Sequence, residues 1–148
     1  MGREIESEEE INMGCDIHLH IELKINGKWE HFASPRIDRD YNLFEKMAGV
    51  RGLEQNAIVS PRGLPNDIST VTKIDVDRWG SDGHSHSWFG VDEIEELSGW
   101  KKVGDPLDLE YKILRTWLFG NSFSGFKKYR AEYPKEINDI RFVFWFDS

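Results

Sequence analysis

The chain has 148 residues, 39% of them apolar and 13% aromatic, the composition of one folded domain with a sizeable core and not of a disordered segment. Its net charge of −8 argues against a simple binder of nucleic-acid backbone, which needs clustered Lys and Arg, but leaves room for a local basic pocket that takes one small nucleotide. No apolar run approaches the roughly 18–20 residues of a membrane span, no stretch reads as a signal peptide, and the one cysteine, Cys15, excludes an internal disulfide framework. The expectation is a cytoplasmic protein with no membrane partner.

Residues 1–12 are polar, acidic and aperiodic, and are read as lying outside the fold. They are either a disordered acidic tail or the product of a misassigned start, with Met13 as the natural one. Glu8-Glu9-Glu10 implies a purine-rich tract, as expected of a bacterial ribosome-binding site ahead of the Met13 codon. Residues 13–148 then read as a single α+β domain.

From Cys15 to Ile25 the chain alternates. Cys15, Ile17, Leu19, Ile21, Leu23 and Ile25 share one side, and Asp16, His18, His20, Glu22 and Lys24 the other, the period of a half-buried strand. Asn26-Gly27 supplies a tight hairpin turn and residues 28–32 a return strand, which Ser34-Pro35-Arg36 breaks. Leu43, Phe44, Met47 and Val50 recur at helical spacing, with Gly49 and Gly52 as stops. Residues 60–67 read as an ordered loop, 71–76 as a short strand, 78–88 as a loop and 91–97 as a short helix. Asp105-Pro106 opens the clearest helix, with Leu107, Tyr111, Leu114 and Leu118 as its stripe and Gly120 as its end; residues 129–133 are ambiguous. Residues 139–147 form a last strand, bulky on both faces and therefore central. The fold class is α+β: a small antiparallel sheet, made of the N-terminal hairpin and the C-terminal strand, with two or three helices and long ordered loops.

Four of the five histidines fall in two His-x-His pairs, His18/His20 and His84/His86, each preceded by an aspartate, Asp16 and Asp82. On a strand, residues two apart share a face, so His18 and His20 project together with Asp16; Gly83 frees the second segment to approach closely. Four readings are open, one of them metal-free binding of a ligand by the paired histidines. His18, His20, His84, His86, Asp16 and Asp82 are candidate ligands of a divalent metal, zinc, manganese or iron, that would activate water for hydrolysis. Without metal, the same four histidines are candidate general acids and bases on a phosphodiester. Alternatively, the first pair sits on a solvated sheet face and the second in a polar loop. Neither HExxH nor a two-cysteine zinc pattern is present.

Arg39 and Arg62, with Arg36, lie in loops beside Pro or Gly, where arginine forks onto phosphate as readily as it pairs with the many acids. Tyr41 and Trp88 complete the candidate ligand-binding set; Trp88 and Trp79 flank the second histidine pair and can stack a base or simply pack. Asp40 is a cap or a ligand, Asp67 and Asp147 are further acids near loop or strand ends, and Cys15 falls on the apolar side as a buried thiol.

Four segments carry a resemblance: Met13-Gly14-Cys15-Asp16-Ile17-His18-Leu19-His20, residues 39–51 beginning Arg39-Asp40-Tyr41-Asn42, Pro61-Arg62-Gly63-Leu64-Pro65 with Asp67 and Ser69, and Asp82-Gly83-His84-Ser85-His86-Ser87-Trp88. In these the chain resembles a widespread family of small bacteriophage and prophage proteins to which no chemistry is assigned. The resemblance implies phage origin, action in the cytoplasm of an infected bacterium, and Met13 as the start. The residues themselves, and not the resemblance, leave two function classes. One is a metal-dependent hydrolase of a phosphodiester in a nucleotide or nucleic acid. The other is a non-catalytic protein that sequesters a nucleotide-like signal or blocks a host defence protein.

Overall fold

The computed structural model describes residues 14–99 and 136–148. The acidic extension, the helix expected from Asp105 and the ambiguous segment at 129–133 lie outside these residues. The expected α+β class is the observed one: among the described residues, a four-stranded antiparallel sheet with three α-helices. The strands are β1 (Asp16–Ile25), β2 (Lys28–Ala33), β3 (Gly83–Phe89) and β4 (Ile137–Asp147), in the spatial order β2-β1-β4-β3. The helices are α1 (Tyr41–Ala48), α2 (Thr70–Trp79) and α3 (Val91–Gly99), and short 3-10 turns occupy Glu54–Asn56 and Gly80–Asp82. No helix among the described residues is long and apolar enough to cross a membrane.

Alternation in β1 and β4 makes the core. Ile17, Leu19 and Ile21 pair across the ladder with Phe146, Phe144 and Phe142, all buried. Phe89 of β3, Leu43, Phe44 and Met47 of α1, and Ile94 and Leu97 of α3 close over this face. Truncating one of the fully buried Phe rings to Ala would cost about 3–5 kcal/mol. The hairpin turn is as expected, with Asn26 at φ 51° and Gly27 at φ 82°. Asp40 proves to be a cap: its carboxylate accepts from the Leu43 amide at 3.1 Å, and Gly49, at φ 76°, ends α1 in the left-handed conformation.

Two expectations are overturned. Residues 70–79 are a helix, not a strand. Its sheet-facing stripe is polar (Thr72 and Asp75, with Trp79), while Val71 and Ile74 are exposed, so apolar periodicity misses it. Residues 83–89 are an edge strand, not part of a loop. Gly, Ser and His fill its first five positions and hide it, and apolar mass enters only with Trp88 and Phe89 at its end.

The second sheet face is also covered, so the polar side of β1 is not the solvated face of a half-buried strand. Glu22 is fully buried there and receives the Ser69 amide, the Thr72 hydroxyl and the Arg141 guanidinium at 2.7–3.0 Å. Burial pushes its carboxyl up, but these donors outweigh burial and hold it below the ordinary range. The carboxylate at the N-terminus of α2 also complements that helix's dipole. The Glu22–Arg141 pair thus fastens α2 across the sheet.

Two register shifts reassign side chains between faces. In β2 one extra residue, Phe32, bulges outward, half-exposed, between the pairs Ile21↔Ala33 and Glu22↔His31. Continuing that register, Ser34 stands level with His20; without the bulge it would face the core side. In β3 the shift between His84 and Ser87 lets two residues oppose Trp145, with Ser85 at φ 55°.

Candidate functional site

The covered polar face carries the site. His18 and His20 of β1, Asp147 of β4, Asp75 and Trp79 of α2, and Ser34 with Pro35 and Arg36 after β2 line one cavity of about 390 Å³, with Asp16 at its margin. His18 and His20 do project together, as alternation requires. Each is held by a carboxylate: His18 Nε2 donates to Asp147 Oδ2 at 2.5 Å, and His20 Nε2 donates to Asp75 Oδ2 at 2.7 Å. Under them lies Trp145, fully buried, whose ring centroid is 5.6 Å from that of His18 and 5.2 Å from that of His20, near-parallel to both. Trp79 packs against His18 at 4.2 Å.

The two histidines differ in what remains free. His18 Nδ1 has no partner among the described residues. His20 is almost wholly buried, and its Nδ1 meets Ser34 Oγ at 2.7 Å and His31 Nε2 at 3.0 Å. His31 Nε2 in turn lies 3.1 Å from Ser34 Oγ. Burial, with the charge of neighbouring His20, lowers the pKa of His31 and favours its neutral form.

The second pair is split. The bulge at Ser85 places His86 on the Trp145 side, 5.9 Å from that ring, and leaves His84 on the core side near Phe146. His84 bonds Ser148 Oγ and Ser85 Oγ and borders a different hollow, with Gly49, Arg51 and Glu54. Equal spacing predicts a shared face only for an unbroken strand, and the bulge breaks it. Gly83 allows the close packing expected of it: a Cβ there would stand 3.1 Å from Trp145 and 3.3 Å from His86. Burial lowers the pKa of His86. Asp82 is exposed in the preceding 3-10 turn. The six expected metal ligands therefore do not converge, and among the described residues no group of three His, Cys, Asp or Glu is arranged to hold a metal ion.

The ligand-binding set disperses as well. Arg39 grips Asp16 through two hydrogen bonds, 2.7 and 3.1 Å, and this pair holds the Asp16 carboxyl below its ordinary range. The Tyr41 hydroxyl accepts from the Cys15 amide, and its ring packs on Phe44. Cys15 is buried, which raises its thiol pKa. Arg62 lies over the Trp88 ring at 4.3 Å and pairs with Glu93, remote from the first histidine pair. Asp67 receives Arg141. Arg36 lines the cavity; its side chain is 93% exposed, and its Nε stands 4.0 Å from Asp38.

Sequence reasoning missed Asp75, Ser34 and His31 as members of the site. Asp75 carries no signal, because its helix is not legible. Trp145 and Asp147 were recoverable, since they alternate on one face of a strand expected to be central. Compared with family models, curated proteins and solved structures, the chain matches none.

Proposed function

We propose that this protein hydrolyses a phosphodiester in a small nucleotide-like molecule by acid–base chemistry at His18 and His20. The observation that carries the reading is the pair of carboxylate-held histidines on one cavity, Asp147–His18 and Asp75–His20. A carboxylate on one ring nitrogen fixes tautomer and orientation and supports positive charge as the ring takes a proton. His20 is then the base. His18, through the unpartnered Nδ1, is the acid that protonates the leaving oxygen. Arg36 at the rim is the cation placed to meet the phosphate, the role that sequence reading gave to Arg39 and Arg62. No step is routed through a divalent metal, because the expected ligands do not assemble around one point. Phage origin and action in the cytoplasm of an infected bacterium belong to this proposal and rest on the family resemblance.

The test is incubation of the purified chain with linear and cyclic nucleotides, with product analysis before and after chelation. The expected result is turnover that survives chelation and falls by about 10²–10⁴-fold in His18→Ala and in His20→Ala. Chelator-sensitive turnover would instead support a metal enzyme. Nucleotide retained unaltered would support sequestration. That second reading is favoured by the same cavity, whose Trp79 and Arg36 suit a base and a phosphate without any reaction.

A further inference from the structure

We infer that Ser34 is a nucleophile, activated by His20 and Asp75, so that the reaction passes through a covalent seryl intermediate. The inference deepens the reading above and rests on it for the substrate class alone.

His20 cannot itself reach a substrate. It is 4% exposed, and both ring nitrogens are engaged, Nε2 by Asp75 and Nδ1 by Ser34 and His31. With Nε2–H donated to Asp75, Nδ1 carries the lone pair, and among the described residues the one hydroxyl bonded to it is Ser34 Oγ–H at 2.7 Å. Ser34 is exposed and lines the cavity. The base of this site therefore meets the solvent side through a serine hydroxyl. Neutral His31 donates Nε2–H to the same oxygen at 3.1 Å, which directs the hydroxyl proton toward His20 and stabilises an alkoxide as it forms. The constellation is nucleophile, base and orienting acid within hydrogen-bond reach, as covalent catalysis requires. Its ring nitrogens are exchanged relative to the Ser–His–Asp triad of acyl-transfer enzymes.

The steps balance as follows. Ser34 Oγ attacks phosphorus, its proton passes to His20 Nδ1, the bond from phosphorus to the leaving oxygen breaks, and that oxygen takes a proton from His18 Nδ1. Water then attacks the phosphoseryl diester and gives a proton to His18. The Oγ–P bond breaks, and Ser34 recovers its proton from His20. The net change is one water consumed and one phosphodiester opened to an alcohol and a phosphomonoester.

The experiment uses two probes on the full chain. A fluorophosphonate reports an activated serine whatever the natural substrate, forming an O–P bond and releasing fluoride. Bis(p-nitrophenyl) phosphate reports phosphodiester turnover. The expected result is one fluorophosphonate adduct by intact mass, mapped to Ser34 and absent in Ser34→Ala, with labelling slowed at least about tenfold in Asp75→Asn, whose amide favours the wrong tautomer. Circular dichroism and urea unfolding of Ser34→Ala, an exposed and nearly isosteric change, confirm that it folds. Labelling at Ser34 without hydrolysis of any diester would sustain the nucleophile and overturn the phosphodiesterase reading. Hydrolysis that persists in Ser34→Ala, with no adduct on the parent chain, would sustain the phosphodiesterase with water as nucleophile and overturn the inference. Absence of both label and turnover would also overturn it.

Discussion

Replacing Arg141 by Met tests whether α2 is truly pinned through a buried charge. The Glu22 side chain is 0% and that of Arg141 6% exposed; the guanidinium donates from Nε to Glu22 Oε1 at 2.8 Å, and its Nη2 stands 2.7 Å from the same oxygen while donating to the Asp67 carbonyl. Breaking such a pair from one side costs about 3–5 kcal/mol, because a buried charge is left without its partner. In Arg141→Met the carboxylate keeps, among the described residues, Ser69 N–H and Thr72 O–H. It has an escape, which bounds the loss: from an ordinary pKa of 4.5, taking a proton at pH 7 costs about 3.4 kcal/mol. The expected loss is therefore about 3 kcal/mol at pH 7, shrinking by up to about 1.4 kcal/mol per pH unit on acidification. Urea unfolding reads it directly: with a slope of about 1.5 kcal/mol/M the midpoint falls by about 2 M. The double variant Glu22→Met/Arg141→Met removes both charges and should recover most of the midpoint. A single-variant shift under about 0.5 M, or a double variant no better than the single, would refute the argument.

Other consequences are separable. Acidification should destabilise the parent in two windows, both by the same sign. His31 and His86 have folded pKa values below 6.5, so their contribution is present above 6.5 and is lost as pH falls through their lowered values; His86→Asn should flatten that part of a stability–pH curve. Glu22 does the same below 4.5, and Glu22→Gln should remove that second loss. Gly27→Ala should cost about 1 kcal/mol, since only the positive φ opposes it, whereas Gly49→Ala should cost clearly more, because its Cβ would also stand 2.6 Å from Glu54 Cα; thermal unfolding ranks the two. Ser85→Val should destabilise by about 1–2 kcal/mol, as a β-branched residue resists φ 55°, and an unchanged melting temperature would mean that the bulge is absent.

How much was legible follows from which physical signal each element carries. β1, α1 and β4 write their burial into apolar periodicity and stand where it puts them, and Asn26-Gly27 marks the hairpin turn by its own chemistry. α2 and β3 do not. The helix lies on a polar sheet face with Thr72 and Asp75, and the strand is an edge made largely of Gly, Ser and His. The site suffers for the same reason. His18 and His20 were visible because β1 is regular, and Asp147 because β4 is. Asp75 rides on the illegible helix, and Ser34 reaches its position only through an extra residue in β2. His84 fails for the complementary reason: spacing of two implies a common face only where no bulge intervenes.

The pairing of β1 with β4 has a kinetic consequence. These two strands form the middle of the sheet, yet His18 and Asp147 are 129 positions apart in the chain. The β1–β2 hairpin is local but has no core of its own, and two strands alone are marginal in water. Most of the apolar burial, and the whole of the Asp147–His18–Trp145 arrangement, awaits closure of a very long loop. Such topologies fold slowly and expose unpaired edges meanwhile. A chain stopped short of β4 would carry both histidines of the first pair without the tryptophan beneath them or the carboxylate of His18. The surroundings of His18 are therefore complete only once β4 has docked, and a proteolytic fragment or nascent segment that lacks β4 would hold neither Asp147 nor Trp145 against it.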